Sequence, residues 1–494
     1  MENSVTSFLP VLACLASLLA VPMILIFRKE PFLREASTFV AGLAKFGFVL
    51  AMVPIILSGK VIEYTFVEGI AGISVPLKFR VDGLGMTFAL VASSLWILTS
   101  LYAIGYMRGL KEHSQTRFFC FFALSLSATL GVAFSGNLLT LYLFYELLSL
   151  STWPLVTHHQ DKEARGGGRI YLTHLLGTSV AFGIPAIIYT YFKSGGDLSF
   201  AGEAILAGSD LSYLQGVVLL LAFAFGFSKA GLMPFHSWLP GAMVAPTPVS
   251  ALLHAVAVVK VGVFCVIRVV TGVFGTDLLE KLGAHLVLCW IAAFTVVTSS
   301  LIAMNQDNLK RRLAFSTIGQ LSYIVLGVAL LAPYAVQGSM MHIAMHAFGK
   351  ITLFFCAGAI FVATGKKYIS QLDGLGKVMP WTMGAFAIGA MSVTGLPPTG
   401  GLLSKMYMIR GAADAQEYAL LVVYLVSSVL NGVYFFPIVY RAFFRAPANQ
   451  IAGGIKEAPL ACVMPLAMTA MASVLLFFFP GLLFELTSLM IPGK

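Results

Sequence analysis

Lysine is rare in the middle of apolar sequence, and this chain places it there repeatedly. Lys229, Lys260, Lys350 and Lys405 each stand in a strongly apolar run, and Glu146 stands in another, NLLTLYLFYELLSLSTWPL. An ionisable side chain at membrane depth is costly and is a functional candidate by default. Lysine is the common amine whose proton affinity responds readily to burial, so a buried lysine can take up and release a proton near neutral pH. A carboxylate facing it holds the charged form, and separating the two expels the proton. Glu146 is the expected partner of Lys229. At about 4 Å and an effective dielectric near 20, such a pair attracts by several kcal/mol. The chemistry these residue types suggest is proton movement through a membrane interior.

Histidines extend the set. His342, His346 and Lys350 are spaced four apart, which puts all three on one face of a helix. Three protonatable groups in line favour a wet proton path. No carboxylate or cysteine stands near them in sequence to complete a metal site, so no metal is expected. His254 precedes Lys260 by six residues. On an ideal helix the two would point about 240° apart, so a relay between them needs a broken turn or a water. Tyr142, Tyr145, Thr178 and Ser228 are further hydroxyl links.

The elements that must carry these groups are membrane helices. Of the 494 residues, 59% are hydrophobic and 11% charged, where a soluble protein has about 25% charged. Apolar runs of about 20 residues recur along the chain. Fourteen spans are expected, near 7–27, 36–58, 83–106, 118–136, 138–157, 169–192, 211–233, 246–270, 284–304, 313–332, 337–364, 380–409, 416–440 and 460–487. Glu146 then lies roughly 12 Å into its helix, near the middle of a hydrocarbon core about 30 Å thick. Lys229 and Lys260 flank the segment SKAGLMPFHSWLPGAMVAPTPVSALLHAVAVVKVGVF, whose Pro234, Pro240, Pro246 and Pro248, with His236 between them, predict two helices joined by a break. Such breaks are tolerated only where the freed backbone lines protein or water. TGLPPTGGLLSK around Lys405 echoes FSKAGLMP around Lys229, and corresponding interrupted helices in two halves point to a transporter built from repeats.

Charge and composition exclude other classes. The net charge of +10 does not imply nucleic acid, because lysine and arginine sit mostly in short loops. One set of loops carries eighteen of them, including Lys111, Lys162 and Lys366, and the other side seven. The positive-inside rule puts the first set in the cytoplasm and both termini outside. The first span lacks the basic flank of a cleaved signal and is expected to be retained. The six cysteines stand in apolar runs without a CxxC pair and read as small core residues. Gly166, Gly167 and Gly168 lack a nucleotide-loop pattern and read as a flexible cytoplasmic turn. Alternating Ile62, Tyr64 and Phe66 in the external segment 59–82 suggest a short hairpin. No nucleophile triad, dinucleotide fingerprint, haem site or iron–sulfur pattern is visible, so no cofactor is expected.

Taken together, LYLFYELLSL, the 228–264 segment, QDNLKRRLAFSTIGQLSY, HAFGKITLFFCAG and GLPPTGGLLSK resemble the proton-pumping, antiporter-like subunit family. That family includes large membrane subunits of respiratory complex I and of membrane-bound hydrogenases, and the A and D subunits of Mrp-type cation/proton antiporters. The resemblance covers Phe118 to Met408. It implies an all-α polytopic membrane protein of about fourteen helices, with two inverted five-helix repeats and broken helices 7 and 12. On this reading 1–117 is an N-terminal three-helix segment, 118–272 and 284–440 are the repeats, and 441–494 holds the C-terminal helix. By position, Glu146 and Lys229 resemble the family's glutamate–lysine pair and Lys260 its central lysine. Lys350 and Lys405 resemble the second-half lysines, with His254, His342 and His346 as relay candidates.

Lys405 stands where one complex I relative has glutamate, which argues against that type of chain. Length argues against the largest Mrp component and against a lateral-helix relative, and HAFGK with LLSK and this length is most like the D subunit of Mrp antiporters and its hydrogenase counterparts. The implied protein is not an enzyme. It is the proton-translocating component of a multisubunit Na+/H+ antiporter in the plasma membrane, with other membrane subunits, lipid, protons and sodium as partners. The alternative is the same module in a redox-driven complex.

Overall fold

A computed structural model describes residues 4–69, 75–446 and 454–491, the side chains of 253–255 excepted. Among the described residues the chain is helical but for one small sheet. Among the described residues eleven helices are long and apolar enough to cross a membrane, or twelve if the bent pair after Val258 is one span. In chain order the helices begin with α1 (Leu9–Ile26), α2 (Pro31–Leu57), α3 (Gly83–Gly109), α4 (Gln115–Ala133) and α5 (Leu138–Val156). The sixth span is α6 (Lys162–Thr178) running through a π-helical turn into α7 (Ile184–Lys193). The seventh is broken, with α8 (Tyr213–Gly226), a 3₁₀ turn at Ser228–Ala230 and the short α9 (Trp238–Gly241). The eighth is broken too, into α10 (Thr247–Ala255) and α11 (Val258–Arg268), and the chain then bends by 81° into α12 (Thr276–Leu282).

The second half continues with α13 (His285–Met304), α14 (Leu309–Ala329) and α15 (Pro333–Thr364), then a short α16 (Leu375–Val378). The twelfth span is split into α17 (Pro380–Thr394) and α18 (Gly401–Asp414), and α19 (Tyr418–Phe444), α20 (Leu460–Phe478) and α21 (Gly481–Ser488) complete the bundle. Each of the fourteen expected spans thus has its helix. The break within the eighth adds to the expected pattern. It falls between His254 and Lys260, where a relay would need it, although the His254 side chain lies outside the described residues.

Helix starts follow polar caps. The side chains of Asp82, Asn137, Asp161 and Asn308 accept from the backbone N–H three residues on, opening α3, α5, α6 and α14. Ser212 and Gln215 form a reciprocal capping box at α8. These supply acceptors to N–H groups that a helix leaves without partners.

The glycine run 166–168 is a correction. It lies inside α6, not in a flexible turn. The reason is packing: a Cβ on Gly168 would stand 2.2 Å from Thr157 Cγ2, and one on Gly167 2.8 Å from the Gly241 carbonyl oxygen. The glycines let α6 lie against the end of α5 and the broken seventh span.

The expected hairpin is present as β2 (Val61–Val67) and β3 (Leu77–Val81), joined on the far edge by β1 (Ser4–Thr6), parallel to β2. Ile62 pairs with Val81 and Tyr64 with Phe79, and Arg80 closes on Glu63 at 2.5 Å. The cysteines are free and buried.

At the centre runs α15, packed against α3, α10, α14, α17, α18 and α20. Its residues from Ala335 to Ile360 are almost all buried. The outer helices α1, α2 and α19 instead expose apolar side chains such as Leu19, Val40, Leu43 and Val429. An aqueous monomer rarely shows such faces over a wide area.

Candidate functional site

The pieces of the eighth and twelfth spans, α10, α17 and α18, pack on α15, and the 3₁₀ turn of the seventh packs on α11 and α14. Lys229 occupies the 3₁₀ turn that breaks the seventh span and is fully buried. The turn is reached closely by α11: a Cβ on Gly262 would stand 2.0 Å from the Ala230 nitrogen. Trp238 Nε1 donates to the Ser228 carbonyl at 3.1 Å, and the Lys229 N–H donates to Tyr145 OH at 3.3 Å, so freed backbone groups of the break are held by protein.

Lys229 Nζ donates to the Tyr145 carbonyl and to Ser149 Oγ, both at 2.7 Å, and lies 3.0 Å from the centroid of the Tyr145 ring. The expected closed pair with Glu146 is not made. Both Glu146 carboxylate oxygens are buried without a hydrogen-bond partner. The reason is helical: Tyr145 and Ser149 are four apart and share a face, while Glu146 points about 100° further round α5. The 3₁₀ turn meets the Tyr145–Ser149 face. Glu146 is the sequence neighbour of Tyr145, but the Tyr145 carbonyl and the Ser149 hydroxyl hold the amine.

Lys260, on α11, donates from Nζ to His346 Nδ1 at 2.7 Å. This joins the two halves across 86 residues of sequence. An ammonium group has no acceptor, so with Lys260 protonated His346 presents a neutral Nδ1 and carries its hydrogen on Nε2. That Nε2 is buried without a partner. The His342 ring stacks on His346, with centroids 5.5 Å apart. His342 Nδ1 meets Ser404 Oγ at 2.8 Å and its Nε2 meets Gln320 Oε1 at 3.1 Å. Ser404 is the neighbour of Lys405.

Lys405 Nζ donates to the carbonyls of Val393 (2.8 Å) and Thr394 (3.0 Å), the last residues of α17, and reaches Ser428 Oγ at 3.5 Å. It lies 4.7 Å from the Tyr323 ring centroid. The ammonium therefore rests on the negative end of a half-helix, where a cation is favoured. Gly395 at φ +90° makes the turn, and a Cβ on Gly401 would stand 1.9 Å from the Ser392 carbonyl, so only glycine lets α18 start there.

Lys350 shares the helix face of His342 and His346, but its amine turns away from them. It donates to Ser316 Oγ at 2.7 Å, which also accepts from Tyr434 OH at 2.9 Å; Tyr434 bonds Asn431 as well. The structure thus gathers Lys260, His346, His342 and Lys405 into one buried row, with Lys350 on a hydroxyl branch and Glu146–Lys229 at one end. Among the described residues no hydrogen bond links Lys229 to Lys260. Ser149, Ser316, Gln320, Ser404, Ser428 and Tyr323 were not singled out from sequence. Their signal was a polar residue at helical spacing from a buried lysine's partner helix, which is common in any bundle.

On the side of the basic loops a cavity of about 790 Å³ opens between the two halves, lined by Glu112, His159, His236, Lys310, Phe315 and Lys366 among others. Lys310 reaches across it to donate to the Ala245 carbonyl at 2.6 Å. Phe315 brings the cavity to within one residue of Ser316, the partner of Lys350.

Membrane-crossing helices, three of them broken toward a buried row of amines and imidazoles, define a polytopic helical membrane protein with a polar axis. Residues 135–431 match the family described as NADH:quinone oxidoreductase/Mrp antiporter, TM, and residues 66–119 match the complex I chain 5 N-terminus. The chain belongs to this complex I- and Mrp-related family of antiporter-like membrane subunits.

It is 33% identical over 420 residues to NADH-quinone oxidoreductase subunit N of Desulforudis audaxviator, covering 81% of each chain. It is 31% identical over 476 residues to the A subunit of the Na(+)/H(+) antiporter of Alkalihalophilus pseudofirmus, covering 90% of this chain and 57% of that one. The chain therefore spans little more than half of this antiporter relative, which is of the A type where the residue pattern suggests the D type. A chain of the Mrp complex from Dietzia sp. DQ12-45-1b superposes with a TM-score of 0.85 at 21% identity, covering 98% of this chain and 96% of that one, and shows the same fold.

Proposed function

We propose that this chain is a proton-translocating membrane subunit, a transporter component rather than an enzyme, which relays protons along Glu146, Lys229, Lys260, His346, His342 and Lys405. The observation that carries the reading is the 2.7 Å contact of Lys260 with His346, which joins the broken eighth span to the central helix α15. Both members can exchange a proton. His254 stands before the broken turn as a further relay group, and Lys350, through Ser316 and Tyr434, gives the row a branch toward the basic-side cavity. The row crosses from 118–272 into 284–440, the two segments we assign as inverted repeats, flanked by 1–117 and 441–494.

The host we favour is a multisubunit Na+/H+ antiporter in the plasma membrane, with the basic loops in the cytoplasm and both termini outside. The antiporter relative and the exposed apolar faces of α1, α2 and α19 support membrane partners. The second reading, a redox-driven complex, is favoured by the NADH-quinone oxidoreductase relative of 33% identity. The relay is common to both. His346→Gln keeps size and hydrogen bonding but cannot exchange a proton. It should assemble and lower proton-linked flux in membrane vesicles at least tenfold. Unchanged flux per assembled complex would remove the row from the mechanism.

A further inference from the structure

A second group of histidines lies outside the buried row, at the basic-side ends of α3 and α5. Glu112 and His113 follow α3, and His158 and His159 follow α5. The three rings face one carboxylate. Glu112 Oε2 is 3.8 Å from His113 Nδ1, 3.9 Å from His158 Nε2 and 3.7 Å from His159 Nδ1. For Glu112, His113 and His158 the three candidate atoms all lie within 4.8 Å of one another. Bonds of about 2.0–2.2 Å in a tetrahedral site put ligand atoms roughly 3.3–3.6 Å apart. The group is thus within side-chain adjustment of a coordination shell.

Two features distinguish it from a chance cluster. His158 is completely buried, yet both of its ring nitrogens lack a hydrogen-bond partner. Buried polar atoms are otherwise almost always paired, and this one aims its Nε2 at the carboxylate. His113 shows the complementary arrangement. Its Nε2 is 3.1 Å from the His158 carbonyl oxygen, which can only accept, so Nε2 carries the hydrogen. That leaves the Nδ1 lone pair toward Glu112. A backbone carbonyl fixing the tautomer of a histidine in this way is the usual outer-shell support of a metal ligand. One charge counts against a cation: Arg117 Nη2 donates to the same carbonyl at 2.7 Å. Its guanidinium is turned to the carbonyl, and the negative Glu112 lies on the ring side.

We propose that Glu112, His113 and His158, with His159 placed to close the shell, form a binding site for a divalent transition ion of the zinc class. Three imidazoles and one carboxylate suit zinc, where magnesium or calcium would take oxygen ligands. The site lies at the rim of the 790 Å³ cavity, to which Glu112 and His159 both contribute. An ion there ties the turn after α3 to the end of α5, the helix that carries Glu146. It stands apart from the proton row and holds whether or not the relay does.

The test uses the complex containing this chain, purified in detergent, stripped with a chelator and given Zn2+ alone. Wild type should take up one zinc per chain that His113→Gln, His158→Gln and Glu112→Gln each bind at least tenfold more weakly. His236→Gln, in the same cavity but outside the cluster, should match wild type. His113 is half exposed, so its variant assembles even if the buried His158 variant does not. X-ray absorption at the zinc edge should show nitrogen and oxygen ligands with imidazole scattering. Zinc affinity in His113→Gln and Glu112→Gln equal to wild type, or an absorption spectrum without imidazole, would overturn the site.

Discussion

Lys229 and Lys405 occupy corresponding interrupted helices and are held in nearly the same way. Each ammonium donates to backbone carbonyl oxygen and to a serine hydroxyl, and each lies against a tyrosine ring: Tyr145 for Lys229, Tyr323 for Lys405. The sources of the carbonyls differ. Lys405 rests on Val393 and Thr394, the end of the first piece of its own broken span, whereas Lys229 reaches over to α5. The second difference is Glu146, a carboxylate whose charge acts on Lys229 without a hydrogen bond to it; among the described residues no carboxylate acts on Lys405 in the same way. A lysine held by its own half-helix sees a fixed field. A lysine held by a neighbouring helix that also carries an unpartnered acid sees a field that changes when α5 and the 3₁₀ turn shift by a fraction of a helical turn. In the relay we propose, the first site is the one that switches and the second the one that hands over.

The strongest way to break that comparison is to remove its distinguishing group. Glu146→Gln makes the first site resemble the second. It should reduce proton-linked transport at least a hundredfold while the complex assembles at wild-type level, measured as flux in vesicles against subunit content. Transport near wild type would mean that Glu146 is a structural acid and the two sites work alike.

Smaller changes sharpen the comparison. Ser149 is 2.7 Å from Lys229, while Ser428 is 3.5 Å from Lys405, at the limit of a hydrogen bond. A hydrogen bond to a charged group contributes about 1.5–3 kcal/mol, roughly tenfold or more in an equilibrium. Ser149→Ala should cut flux by about tenfold, and Ser428→Ala by a factor of about two, since two carbonyls still hold Lys405. Equal effects of the two substitutions would place the holding force in the rings or elsewhere.

Much of this was legible in the sequence, and the limits have physical causes. The spans were readable because apolar runs match the bilayer, and the lysines because a charge there has no ordinary reason. Pro234 and the Gly395–Gly401 segment marked the breaks in the seventh and twelfth spans, since proline and glycine interrupt helices locally. The contact of Lys260 with His346 was not readable, because it depends on how α11 and α15 cross, far apart in sequence. The face of α5 that meets Lys229 was hidden for a similar reason: spacing gives angles around one helix but not the direction from which a neighbour arrives. Gly166–Gly168 misled because a glycine run means either flexibility or close approach, and only the neighbour at Thr157 decides. The Glu112, His113, His158 and His159 group was concealed by its division between two loops, each unremarkable alone.

The central claim is that these buried amines release protons rather than merely carry charge. Lys229→Arg tests it most directly. Arginine keeps the positive charge and can donate to the Tyr145 carbonyl and Ser149, but it does not lose its proton in a protein. Proton-linked cation flux in membrane vesicles, normalised to assembled complex, should fall to background with assembly unchanged. Full flux in Lys229→Arg would contradict the account, because a fixed charge would then serve as well as a titrating one.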